Sequence, residues 1–310
     1  VIVAPIQLGC CPDEPRCRLC VPRPPVTPAL VDALIETITD ERGSAPDRVV
    51  FFGGAPPDDA LLDAAGGLPV EVRVRPDLLD RATARHLVDR GVQRIELDAL
   101  TFHTPSLRAI DRPYAGPRVV TMAEALRDQG IEVGLVLSIG LPAHSHAEAL
   151  ADAHQARALA STVRIHPVLV VHGSGLWRAH LEGLYEPLRL GQTVTTVRAM
   201  LDVLEPGVRV IRVGQQPGPD GLGRVVAGPR HSSLREVVES RRTLDRLRTL
   251  LREADLPESL VIRCATADET RTRGPHNDNV RTLRAEFALR EVVVHADPTL
   301  QRGTFVLEAS

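Results

Sequence analysis

From Val1 to Val213 the chain repeats one pattern, a short apolar run followed by a longer segment with helical spacing. The apolar runs are Val1–Leu8, Arg48–Phe52, Pro69–Val74, Arg94–Leu97, Glu132–Ser138, Thr162–Val168 and Arg209–Val213. The helical segments between them are Pro28–Arg42, Asp58–Ala65, Asp77–Arg90, Val119–Gln129, Ala147–Leu159 and Leu190–Leu204. Nearly continuous apolar runs predict strands buried on both faces, as in a parallel sheet. Their alternation with helices predicts βαβ units with right-handed crossovers. Seven such strands exceed a small open sheet and predict a full or partial β/α barrel. In barrels of this kind chemistry sits on the loops that follow the strands' C-terminal ends.

After Gly214 the texture changes. Gln215-Gln216-Pro217-Gly218-Pro219-Asp220-Gly221 is a turn-rich linker. Beyond it follow a long arginine-rich helix (His231–Ala254), a strand (Leu260–Cys264), a helix near Val280–Ala288 and a strand (Glu291–His295). The expected organisation is a barrel over residues 1–214 and a small α/β extension over 215–310.

The 37 basic residues are all arginine and face 40 acidic ones, for a formal net charge of −3. Arginines alternate with acids, as in Arg235-Glu236 and Glu239-Ser240-Arg241, and aromatics make up only 3%. Neither a basic stripe nor a base-stacking platform is evident, which argues against nucleic acid as the favoured partner. No run approaches a bilayer-spanning length, and the opening apolar run lacks a basic leader. A cytoplasmic, reducing location is the expectation, and there clustered cysteines bind metal more often than they form disulfides.

Four of the five cysteines, Cys10, Cys11, Cys17 and Cys20, lie within eleven residues directly after the first predicted strand. That is where the barrel rule wants a functional loop. Three thiolates suit an iron–sulfur cluster with one iron left open for a cofactor, while four can close around zinc. Adjacent Cys10 and Cys11 are awkward for zinc, because successive side chains on extended backbone point opposite ways.

A strand followed by Gly9-Cys10-Cys11 and then Cys17-x2-Cys20 resembles the cluster loop of radical S-adenosylmethionine (radical SAM) enzymes. The rest narrows the resemblance to the Elongator-protein-3-like clade, in which many members lack the acetyltransferase domain. It runs in order through Val50-Phe51-Phe52-Gly53-Gly54, Arg75-Pro76-Asp77, Gly91–Leu97, Gly140-Leu141-Pro142 and Val163-Arg164-Ile165-His166-Pro167. It continues through Gly183–Leu188, Val210–Pro217, Val226–Pro229, Val238–Arg241 and Arg273–Asn277.

The resemblance implies a partial (β/α) barrel of the radical SAM type with a small C-terminal α/β extension. It implies a 4Fe–4S cluster on Cys11, Cys17 and Cys20, with SAM bound to the open iron and cleaved reductively to a 5′-deoxyadenosyl radical. The SAM site it implies takes in Leu19, Gly53, Gly54, Arg75, Ser138, Gly140 and Arg164, with Arg164 facing the SAM carboxylate. An external one-electron reductant is the implied partner. The expected substrate is a small molecule or peptide, with tRNA modification as the alternative. A second alternative is a catalytically degenerate iron–sulfur protein with a structural, electron-transfer or partner role.

Departures from the clade pattern are specific. Five residues separate Cys11 from Cys17 where three are usual, and Cys10 competes as first ligand. Leu19 replaces an aromatic, and Asp98-Ala99-Leu100-Thr101 replaces Gly-Val-Gln-Ser. Ala143 stands where glycine is typical, a residue type that resists positive φ. Among other candidates, His144 and His146 are expected in solvent, and His103 is expected at the barrel mouth. His166 lines either the pocket or the core. Trp177 and Tyr185 are expected to pack, and Cys264 to act as a small buried hydrophobe.

Overall fold

The structure is a computed structural model that describes residues 2–8, 17–21, 25–205, 207–215 and 224–309. Its compact units are Val1–Arg230 and His231–Ser310.

The first unit contains β1 (Val3–Gln7), β2 (Arg48–Phe52), β3 (Val70–Val74), β4 (Val92–Leu100), β5 (Val133–Ile139), β6 (Thr162–Pro167), β7 (Val170–Val171), β8 (Arg209–Val213) and β9 (Val225–Ala227). Seven of these form one parallel sheet in the order β1-β2-β3-β4-β5-β6-β8. Consecutive neighbours joined by helices make this the partial β/α barrel expected from the sequence pattern. The short β7 pairs antiparallel with β9, which keeps residues 224–230 with the first unit.

The helices are α1 (Pro28–Arg42), α2 (Asp59–Asp63), α3 (Arg81–Asp89), α4 (Thr104–Ala109), α5 (Gly116–Asp128), α6 (His146–Leu159), α7 (Gly175–Leu181) and α8 (Leu190–Leu204). Several start on side chains that accept from their first-turn amides, including Asp58, Asp80 and Ser174. Ser145 and Glu148 close a reciprocal capping box at α6.

One face of the sheet is apolar and dry. Ala4, Val49, Phe51, Val72, Ile95, Leu97, Leu135, Leu137, Val163 and Ile165 are almost wholly buried. The alternate positions are a correction to the sequence reading, which expected apolar residues on both faces. Glu71, Arg73, Arg94, Glu96, Thr162, Arg164, His166 and Arg212 occupy them, and Glu71 and Glu96 pair with Arg73, Arg94 and Arg164. A period-two charge pattern inside an otherwise apolar strand marks a polar face, and here that face is the interior of the half-barrel.

The second unit has β10 (Ser259–Ala265) flanked by parallel β11 (Glu291–Asp297) and antiparallel β12 (Phe305–Ala309). Its helices are α9 (Leu234–Glu253), α10 (Glu269–Arg273) and α11 (Asp278–Glu286). Leu244, Leu247 and Leu251 from α9 meet Leu260, Ile262, Cys264, Leu283 and Val294 in one apolar cluster. Cys264 is fully buried there, as expected for a small hydrophobe.

Candidate functional site

The cysteine loop returns to the described residues at Cys17, which is buried, while Cys20 is half-buried. The two are joined by a turn in which the Cys20 amide donates to the Cys17 carbonyl (3.2 Å). The Arg18 amide donates to Ile110 O (3.0 Å), and the Leu176 amide donates to Arg18 O (2.9 Å). The Arg18 guanidinium adds an ion pair to Asp111 (2.8 Å). Ile110 closes α4, which follows β4, and Leu176 is in the first turn of α7, which follows β7, so this turn is pinned to segments that leave the C-terminal ends of the strands. Both thiols thus sit where the barrel rule places chemistry. Cys10 and Cys11 lie outside the described residues. Among the described residues no three metal-ligating side chains converge.

The other expected site residues are placed as follows. Leu19 is half-buried in the same turn. Gly53 follows β2, and a Cβ there would lie 2.8 Å from Leu8 O, so glycine lets the chain leaving β1 pass close by. The Gly54 carbonyl accepts from the Arg75 amide (2.8 Å). The Arg75 side chain is buried and grips both oxygens of Asp77, Nε at 3.0 Å. Ser138 is buried near the end of β5, level with His166 of β6. Gly140 follows β5, and its carbonyl accepts from the Tyr185 hydroxyl (2.6 Å). That bond and burial match the packing role expected of Tyr185, and burial pushes its phenol well up. Trp177 stacks against His172, centroids 4.2 Å apart.

Arg164 is mid-strand in β6 rather than at its end. Its Nε reaches both oxygens of Glu96 (2.9 and 2.8 Å), and the Arg73 Nε reaches the same carboxylate at 3.3 Å. Gly134 lies between Glu96 and Thr162, and a Cβ there would strike Glu96 Cγ at 2.8 Å. That clearance lets one carboxylate serve arginines from β3 and β6. A second set below it joins Arg48 and Arg94 to Glu71. Arg212, opposite Arg164 on β8, donates only to carbonyls of Gly214 (3.3 Å) and Gln215 (3.2 Å) among the described residues. Burial, then Arg164 and Arg73, pull its pKa below the ordinary arginine value. His166 is held well below the usual histidine range by burial first, then by Arg73, Arg164 and Arg212.

Two expectations change at the mouth, those for His144 and Ala143. The His144 side chain is wholly buried, with Nε2 between Asp152 (3.1 Å) and Thr101 (3.3 Å). The His103 ring contacts Ser106 Oγ at 2.9 Å, and that hydroxyl donates to Ala143 O (2.7 Å). These bonds tie the loops after β4 and β5 together, so both histidines hold the rim. They also hold Ala143 at φ 54 despite its side chain, and Leu100 sits at φ 61 beside the register shift of β4.

Residues 160–245 match the model of the Radical_SAM C-terminal domain family. A tRNA uridine(34) acetyltransferase of Dehalococcoides mccartyi is 26% identical over 177 residues, 55% of this chain and 38% of its own length. Its counterpart in Methanocaldococcus infernus is 22% identical over 174 residues, 54% of this chain and 32% of its own. The chain therefore spans about a third of the length of these curated relatives. Among solved structures, the archaeal Methanocaldococcus infernus Elp3 superposes with a TM-score of 0.59 at 17% identity, covering 79% of this chain and 63% of that one. Methylornithine synthase superposes with a TM-score of 0.53 at 14% identity, covering 75% and 76%. Among the described residues no helix is long and apolar enough to cross a membrane. With the seven-stranded half-barrel and the ordered run of motifs through it, these matches make the chain similar to the Elongator-protein-3-like proteins of the radical SAM superfamily.

Proposed function

We propose that this protein is a radical SAM enzyme acting on a small-molecule or peptide substrate. The observation that carries the proposal is the Cys17–Cys20 turn, fastened by backbone bonds to Ile110 at the end of α4 and Leu176 in α7. Its soft donors suit iron–sulfur ligation, and the third thiolate is assigned to Cys11. A 4Fe–4S cluster with SAM, when bound, supplies a 5′-deoxyadenosyl radical once an external reductant delivers one electron. The chain's own part is to position and shield. The Gly53-Gly54 loop, Leu19, Arg75, Ser138 and Gly140 are assigned to SAM, with Arg164 facing its carboxylate. The half-buried Asp77 and the buried Glu96 carboxylates orient the two arginines. The Tyr185 bond to Gly140 O and the His144–Asp152 pair hold the rim in place.

Anaerobic reconstitution tests this. About four irons per chain and 5′-deoxyadenosine after reduction with SAM are expected. Cys17→Ala and Cys20→Ala should each abolish both. Colourless protein with one zinc on four sulfurs would overturn the assignment, and iron without SAM cleavage would favour the degenerate alternative. A second reading, tRNA modification, is favoured by the similarity to tRNA uridine(34) acetyltransferases. Sub-micromolar tRNA binding that weakens steeply with salt would favour it over the small-molecule reading.

A further inference from the structure

We propose that the inner face of the half-barrel carries a subsite, centred on Arg212 and flanked by Arg73 and His166, for an oxyanion of the substrate, carboxylate or phosphate. The proposal rests on the enzyme reading above and names a substrate feature of the same site. Charge balance comes first. Arg73 and Arg164 share one carboxylate among the described residues, that of Glu96, and the neighbouring Arg212 donates only to backbone carbonyls. A SAM carboxylate on Arg164 would still leave one positive charge unmatched, on the arginine that has only carbonyl partners.

Three like charges gathered on one face of a sheet repel one another unless an anion joins them. The face remains reachable, since the side chains of Arg73 and Arg164 are each 16% exposed.

The second observation is independent of the arginines. Among the described residues, the buried His166 Nε2 and the Thr162 Oγ1 have no hydrogen-bond partner. Thr162 is itself 1% exposed. Both alternate with Arg164 along β6, so all three point to the interior, with His166 on the mouth side of Arg164 beside the subsite and Thr162 on the far side, outside it. Buried polar atoms are normally satisfied, and a donor left unpaired beside excess positive charge is suited to an arriving oxyanion. As a neutral imidazole, His166 can donate one N–H without adding to the repulsion.

The test titrates the full chain with inorganic phosphate and, separately, with succinate, using neutral succinamide as control. Each titration is run at low ionic strength, with and without saturating SAM, by isothermal calorimetry. Saturable binding of one anion that persists with SAM is expected, and the better ligand tells phosphate from carboxylate. Arg212→Gln should weaken it about tenfold or more, with Arg212→Lys retaining more affinity. Without anion, Arg212→Gln should melt no lower than wild type, because it removes repulsion, which separates lost binding from lost folding. No saturable binding, binding abolished by SAM, or affinity unchanged in Arg212→Gln would each overturn the inference. Iron content and 5′-deoxyadenosine are measured on the same preparations. Cleavage without anion binding sinks only the subsite, and anion binding without cleavage sinks only the enzyme reading.

Discussion

In the first unit, Arg73 and Arg164 converge on a Glu96 carboxylate that is 3% exposed. In the second, Arg263 bridges Asp297 and Glu308 with 42% of its side chain in water. Both units are α/β and both sheets bury one apolar face. They differ in what covers the other face. The half-barrel curls its polar face inward, so each carboxylate there must satisfy several guanidinium groups at low accessibility. The three-stranded sheet leaves Arg263 in solvent, where water and salt screen it. The same arginine–carboxylate chemistry therefore orients a site in one unit and decorates a surface in the other.

The largest test of that contrast is Glu96→Gln, which leaves two inner guanidinium groups without their shared carboxylate. A loss of about 3 kcal/mol in urea unfolding is expected. A loss below about 1 kcal/mol would show that the inner face is screened like a surface.

A smaller effect should follow pH. The unfolded His166 takes up a proton near pH 6.5, while the folded one, facing Arg73, Arg164 and Arg212 with Glu96 beside them, resists it. More protons on the unfolded chain means that stability rises with pH. The contribution is therefore complete above about pH 6.5 and is lost as pH falls toward the depressed folded value, by up to about 1.4 kcal/mol per unit. His166→Phe should flatten the urea midpoint between pH 6.5 and 5.5 relative to wild type. An unchanged slope would place the titration elsewhere.

The smallest expected effect is at Arg263. Arg263→Gln should leave the melting temperature within error, at low and at high salt. A clear drop would mean that the exposed Arg263, through the buried Asp297, behaves like the inner arginines, and would erase the contrast.

Much of the frame was legible in the chain itself. The runs Arg48–Phe52 and Arg209–Val213 are β2 and β8 to the residue, and Pro28–Arg42 and Leu190–Leu204 are α1 and α8. These are local patterns, set by spacing and by residue type. The pieces that escaped are short or stabilised from afar. The two-residue β7 exists only because β9 lies beside it, and β12 only because β10 pairs with it. The buried His144 was equally hidden, because its partner Asp152 belongs to the helix that follows the loop.

The sequence by itself determined the α/β alternation, the position of the cysteine loop after the first strand and the family resemblance that runs through the motifs. Each depends on neighbours within a turn or a strand, or on order along the chain. Only the tertiary structure decided that Glu96 would serve Arg164, 68 residues away, or that Arg212 would lie opposite Arg164 with no carboxylate among the described residues. Charge pairing acts through space over a few ångströms, and closing the sheet into a half-barrel is what brings β3, β4, β6 and β8 within that range.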